Sequence, residues 1–352
     1  RLNEMFWNAL HRIGLQIAAA GMLFSLAAAG QSPPKVIFET DMESDVDDAG
    51  ALAMLHAMAD NGECEILAVM HNTSDPYGPG VIDAINTWYG RPDIPIGKYP
   101  LDDAHSFTFG GQPEYARDIA LDSAYPKDVV SRDDAPNAVE LYKDILARQE
   151  DSSVIVISVG WLMNLRRLHE DPAGARLIQR KIRELFVMGG RWNPSGEPHM
   201  NLAGRHNEVP VAARAGAYVV HHWPTRATYL GIEATAGAAG AALEHQPREN
   251  PVRRAYEVAI RNSRFNLRWK HHTADQSTVL FALRGAGDVW SIIDQGTPTM
   301  DWNGSAWITT WESNPDSHHR ALKRTGSAAA LQKACDTIES LMIQAPRKRK
   351  KI

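Results

Sequence analysis

From Val36 onward, short apolar runs alternate with stretches in which apolar residues recur at helical spacing. Val36-Ile37-Phe38 reads as a buried strand, and small and apolar residues at helical spacing follow over 49–59. The run EILAVM at 65–70 predicts a second strand, 81–89 a helix closed by Gly90, and 92–96 the approach to a short buried segment. A helix is expected over 138–148, then a strongly apolar central strand over 152–159. Further strands are expected at 185–188 and 228–232, and further helices at 208–220, 252–261 and 277–283. Residues 101–136 are polar and irregular, with Phe107, Phe109 and Tyr115 interspersed, and read as a binding segment or lid. This alternation predicts an α/β fold, Rossmann-like, with a mostly parallel central sheet flanked by helices. No repeat or linker interrupts it, so one domain is expected over 31–346.

The densest chemistry lies where the first strand passes into the first helix. Glu39, Asp41, Glu43, Asp45, Asp47 and Asp48 place six acidic residues within ten positions. An acid at a helix start is ordinary capping and dipole chemistry, which accounts for one or two of them. The remainder need a cation, and an all-oxygen donor set suits a hard ion, Ca²⁺ or Mg²⁺. In open α/β sheets the crevice beyond the strand ends is the usual ligand site. An EF-hand loop counted from Asp41 would need Gly and Glu where Val46 and Leu52 stand. A haloacid-type phosphatase would need an Asp nucleophile where Glu39 stands.

Composition narrows the function classes. A net charge of −5 over 352 residues leaves no footprint for nucleic acid. The basic run within 347–352 reads as a disordered tail. At the other end, Met5 as a start, Arg12, the apolar stretch 13–26 and Ala27-Ala28-Ala29 form a signal-peptide pattern over 1–30, cleaved after Ala29 or Gly30. The apolar stretch is too short for a span, so export to a periplasmic or secreted location is expected, without stable membrane insertion. Cys64 and Cys335 are either a disulfide or two buried thiols. Oligomeric state is left open, a homo-oligomer included.

Glu39-Thr40-Asp41 followed by Asp45-Val46-Asp47-Asp48-Ala49 resembles the N-terminal signature of the inosine-uridine-type nucleoside hydrolases, and best the bacterial branch with a longer Asp-rich loop. Relative to the common form the loop is two residues longer, lacks Pro-Gly, and has Glu39 for the first Asp. The resemblance runs from Val36 to Leu283. It includes Asn72, the turn Gly160-Trp161-Leu162-Met163-Asn164-Leu165, Met188-Gly189-Gly190 with Glu197, His199 and Asn201 after it, and Asp275 at a helix start. Weaker echoes are Trp223-Pro224-Thr225 and Gly231-Ile232-Glu233. The chain departs from the pattern at Ala274, where several branches carry a His that protonates the leaving base.

The resemblance implies Ca²⁺-dependent hydrolysis of the N-glycosidic bond of ribonucleosides or related N-ribosides, giving ribose and free base. Asp41, Asp48, Asp275 and the Met163 carbonyl would hold the ion. Asp41 would be the general base, with Asp47 and Asp45 as alternatives. Asp47, Asn72, Glu197, His199 and Asn201 would contact the ribose. Trp161, Trp192, Trp269 and the 101–136 segment are candidate contacts to the base. Without a His before Asp275, leaving groups that need little protonation are favoured, unless His271 or His272 reaches in. The alternative is an exported Ca²⁺-dependent sugar- or nucleoside-binding protein with little or no catalysis.

Overall fold

The computed structural model describes residues 32–347 apart from 44, 102, 104–114, 193, 197, 199, 204–209, 263–267 and 295, with the side chains of 200 and 262 also outside it. The signal-peptide segment, all of the basic tail after Arg347, and Glu197 and His199 therefore lie outside the described residues. The described strands and helices all belong to one compact unit that begins at Pro34.

β1 (Lys35–Thr40) lies inside the main sheet, paired in parallel with β2 (Glu65–His71) on one side and β4 (Val154–Ser158) on the other. Val36 and Phe38 pack into one hydrophobic layer and Ile37 into the opposite one. That two-sided burial is why β1 reads as a continuous apolar run rather than an alternating one. β3 (Ile96–Lys98), β5 (Ile182–Met188), β6 (Arg226–Leu230), β9 (Trp290–Ile293) and β12 (Arg320–Arg324) complete eight strands in the order β3-β2-β1-β4-β5-β6-β12-β9. Pairing is parallel throughout except between β12 and β9. The strand order reverses between β1 and β4, which opens a crevice at their C-terminal ends.

Helices cover both faces. On one side lie α1 (Asp47–Asp60), α2 (Gly78–Trp88), α9 (Pro251–Asn262), α10 (Ala274–Arg284) and α11 (Ala328–Met342). On the other lie α4 (Ala138–Ala147), α5 (Met163–Glu170), α6 (Pro172–Lys181) and α8 (Pro210–His222). α1 is buried from Asp47 to Met58 because α10 and α11 pack against it as well as the sheet. Leu52 and Leu55 are wholly buried there, each contributing about 2 kcal/mol of apolar transfer. Gly50 makes this packing feasible: a Cβ would lie 2.4 Å from Gln276 Nε2 and 2.8 Å from the Tyr256 hydroxyl.

The expected strands and helices are present, with most ends displaced by one to three residues. Other parts differ from the expectation. Residues 101–136 are not irregular throughout: α3 (Tyr115–Leu121) buries Tyr115 and Ile119 against the core, and a 3₁₀ turn spans Arg132–Asp134. An antiparallel hairpin of β10 (Gly296–Trp302) and β11 (Trp307–Ser313) stands apart from the main sheet, and β7 (Ala238–Ala239) pairs with β8 (His271–His272). Cys64 and Cys335 are both buried free thiols. No helix among the described residues is long and apolar enough to cross a membrane.

Candidate metal centre and substrate site

The acidic turn after β1 stands at the crevice where the strand order reverses. Glu39 itself does not face the crevice. It is wholly buried, and Oε2 accepts hydrogen bonds from Asn72 Nδ2 (3.1 Å) and Asn164 Nδ2 (3.2 Å). Burial pushes its carboxyl up to about 8, against the lowering effect of those donors. Glu39 thus ties β1 to β2 and α5, and the longer side chain replacing Asp is a structural tether. Asn72 is used in the same way: its Oδ1 accepts from the Trp161 backbone N–H (3.2 Å).

The next residues turn outward. The Thr40 hydroxyl donates to Asp48 Oδ1 and accepts from the Met42 N–H (3.2 Å), folding the start of the turn back onto α1. Asp47 and Asp48 occupy the first turn of α1 and Asp275 the first turn of α10. Two helix N-termini therefore point their partial positive charge at the same place. The Asp275 N–H donates to Asp47 Oδ2 (3.3 Å) across 228 residues of chain. Oxygens of Asp47, Asp48 and Asp275, all three buried, lie within 4.8 Å of one another.

A cavity of ≈ 20 Å³ is lined by Asp41, Asp45, Asp47, Asp48, Val159, Asn201, His272, Ala274 and Asp275. That is room for one water-sized occupant rather than a nucleoside. Its electrostatics ask for a cation. Burial first, then the charges of their neighbours, drive the carboxyls of Asp47, Asp48 and Asp275 well above the usual range. Asp41 is raised to about 7 by burial and by the charge of Asp45. Burial would raise Asp45 too, but the hydrogen bond from His271 and the charges of His272 and His271 outweigh it and hold that carboxyl below its ordinary value. An all-oxygen, converging, buried donor set in an ion-sized cavity fits a hard divalent ion.

The structure brings together most of the residues expected from sequence. Asp41, Asp47, Asp48, Asn201 and Asp275 line the cavity, and Asn201 Nδ2 donates to the Val159 carbonyl (2.6 Å) and the Met188 carbonyl (3.3 Å). Asn72 and Met163 stand outside that lining. Met163 opens α5, with its side chain buried beside Trp161 and Tyr99. The turn carrying it presses on the acidic loop, since a Cβ on Gly160 would lie 2.4 Å from the Asp41 nitrogen. Trp161 and Trp192 are both core anchors. Trp192 Nε1 donates to the Gly189 carbonyl (2.8 Å), and its ring packs on Tyr229 and Trp311. Trp269 is half-buried with the Arg253 guanidinium over its ring.

Two further features bear on the site, of which only the first has a counterpart in the sequence pattern. His272 lines the cavity, its Nε2 3.5 Å from Asp47 Oδ2. Its closeness in sequence to Asp275 marks it, with His271, as a candidate to reach in, and of the two it is His272 that lines the cavity. The β10–β11 hairpin braces the loop after β5: Thr309 Oγ1 donates to the Arg191 carbonyl (2.9 Å) and accepts from the Arg191 N–H (3.0 Å), and Thr309 and Gly196 pair through their main chains. No local pattern links residue 309 to residue 191.

No family model matches the sequence, and no curated protein sequence matches it either. Solved structures do match. The inosine-uridine preferring nucleoside hydrolase from Bacillus anthracis aligns with a TM-score of 0.62 at 17% identity, over 88% of this chain and 99% of that one. An inosine-guanosine nucleoside hydrolase aligns with a TM-score of 0.62 at 18% identity, over 87% of this chain and 98% of that one. The type III effector XopQ, solved with adenosine diphosphate ribose, aligns at 0.61 and 15% identity over 93% of this chain and 98% of that one. The chain has the nucleoside hydrolase fold. Its carboxylate cavity lies beyond the C-terminal end of β1 in that fold.

Proposed function

We propose that this chain is a nucleoside hydrolase of the inosine-uridine type, of the bacterial branch with the longer Asp-rich loop, cleaving the N-glycosidic bond of ribonucleosides or related N-ribosides with Ca²⁺. One observation carries the reading: Asp47, Asp48 and Asp275 converge to within 4.8 Å around an ion-sized cavity on a nucleoside hydrolase fold. The solved neighbours include enzymes named for inosine, uridine and guanosine and a protein bound to an ADP-ribose, all of them ribosides.

Asp41, Asp48 and Asp275, with the Met163 carbonyl, are the residues that would hold the ion. Bound there, Ca²⁺ would orient a water and make it more acidic. Asp41 would take the proton from such a water, and Asp47 is the second candidate for the same role. The buried carboxylates stabilise the positive charge that grows on the sugar as the bond to the base breaks. Asp47 and Asn201, with Glu197 and His199, are assigned to the ribose hydroxyls. His272 reaches the cavity, but its Nε2 is directed at Asp47 and Asp45. Leaving groups that need little protonation are therefore favoured.

The deciding experiment is a panel of nucleosides plus an activated riboside with a good leaving group, assayed with and without chelator. Chelator-sensitive cleavage, fastest for the activated riboside, is the expected result. No cleavage of any member, with ribose still bound in a Ca²⁺-dependent way, overturns catalysis in favour of a sugar-binding protein. Export is proposed alongside: mass spectrometry of the protein from its native compartment should find an N-terminus near Gln31, and an intact N-terminus on a cytosolic species would refute it.

A further inference from the structure

β8 consists of His271 and His272 alone, held against Ala238–Ala239. Successive residues of a strand ordinarily project to opposite faces. Here both imidazoles converge on one carboxylate. His271 Nε2 lies 3.4 Å from Asp45 Oδ1, His272 Nε2 lies 3.8 Å from Asp45 Oδ2, and the ring centroids are 3.9 Å apart. One donor atom from each of the three residues falls within 4.8 Å of the others.

Of these contacts only that of His271 is a hydrogen bond, and it is longer than the usual length of about 2.7–3.2 Å. The 3.4 Å separation matches the edge of a coordination tetrahedron, and the 3.8 Å separation is somewhat wider. Ligand atoms about 2.0–2.1 Å from a Zn²⁺ ion stand roughly 3.3–3.4 Å from one another. The donors are also held from behind. The Tyr115 hydroxyl donates to the Asp45 carbonyl (2.9 Å). The Thr273 hydroxyl and N–H both donate to the Gly237 carbonyl (3.1 and 3.0 Å), which fixes the strand carrying the histidines. His271 is buried while the His272 side chain is 43% exposed, leaving a fourth position open on the solvent side.

We propose that Asp45, His271 and His272 form a second metal site, which takes a borderline divalent transition ion such as Zn²⁺. Its two nitrogens and one oxygen separate it chemically from the all-oxygen set of Asp47, Asp48 and Asp275. Asp45 and His272 also line the carboxylate cavity, so the second ion would sit at the rim of that cavity beside Asp47, whose Oδ2 is 3.5 Å from His272 Nε2. This geometry alone carries the assignment, which holds whether or not the chain cleaves ribosides.

The test is a Co²⁺ titration of the metal-stripped full chain, kept in excess Ca²⁺ and read by visible absorption. One equivalent of Co²⁺ with the intense band of a four-coordinate centre is expected, displaced by Zn²⁺ and not by further Ca²⁺. His272→Gln, a change at a half-exposed side chain, should reduce the band at least tenfold. A pale six-coordinate spectrum in the wild type, no Co²⁺ uptake at all, or a band unchanged in His272→Gln would each overturn the assignment. The wild-type spectrum decides even if the variant does not fold. A strong band without riboside cleavage would leave this site standing while the proposed activity fell.

Discussion

Replacing Asp275 by Asn should leave the protein more stable than wild type in chelator and less stable than wild type in Ca²⁺. Asp275 is buried against Asp47 and Asp48, with oxygens of all three within 4.8 Å. At that separation, with an effective dielectric constant near 20, each like-charged pair costs roughly 3 kcal/mol. Proton uptake caps this penalty, because burial and the neighbouring charges drive these carboxyls well above their usual range. A net gain of about 1–2 kcal/mol is therefore expected for Asp275→Asn in chelator. With about 2 °C per kcal/mol for a chain of this size, Tm should rise by roughly 2–4 °C. Ca²⁺ at a hundred times its Kd should stabilise the wild type by about 2.7 kcal/mol, or roughly 5 °C. The variant, one charged ligand short, should lose most of that gain. Differential scanning calorimetry at fixed pH and ionic strength, in chelator and in Ca²⁺, reads both terms. A variant less stable than wild type in chelator, or one that gains the full increment from Ca²⁺, would refute the reasoning.

Gly160→Ala should push the turn before α5 off Asp41, because the new Cβ meets backbone at 2.4 Å. The expected cost is about 1–3 kcal/mol in denaturant unfolding, with loss of any Ca²⁺-dependent turnover. Arg320→Met should cost about 2–4 kcal/mol, since it strips the cation from the buried Glu184, which also accepts from the Thr228 hydroxyl (2.5 Å). Adding Glu184→Gln should recover part of that loss, and a double-mutant cycle in urea measures it. His71 is fully buried, and burial lowers its pKa to about 4, so the unfolded chain binds the extra proton first. Its contribution is whole above about pH 6.5 and is lost as the pH falls towards 4, about 3 kcal/mol in all. His71→Gln should flatten the stability profile across that window.

Up to Leu283 most of the succession of strands and helices was legible in the chain because it depends on near neighbours, whereas α6, β9 to β12 and α11 were not anticipated. Val36-Ile37-Phe38 is apolar without alternation because both faces of β1 are covered, and the spacing after Asp48 is that of a helix. The acidic turn between them could be recognised as a site, since so many carboxylates in one turn have no local compensation. Asp275 and Asn201 could be named from the family pattern. Their meeting with Asp47 and Asp48 is a product of packing. α10 reaches α1 through the gap left by Gly50, across 228 residues of chain. Glu39 shows the reverse case. In sequence it belongs to the acidic run, yet strand pairing turns it inward onto Asn72 and Asn164 and away from the cavity. Trp161 and Trp192 looked equally free to meet a base, and both are enclosed by side chains distant in sequence. The convergence of His271 and His272 on Asp45, and the brace that Thr309 makes with Arg191, have no periodicity to betray them. Such contacts are decided only when the tertiary fold closes, because local sequence sets a residue's direction along its own element and not the partner that packing brings to it.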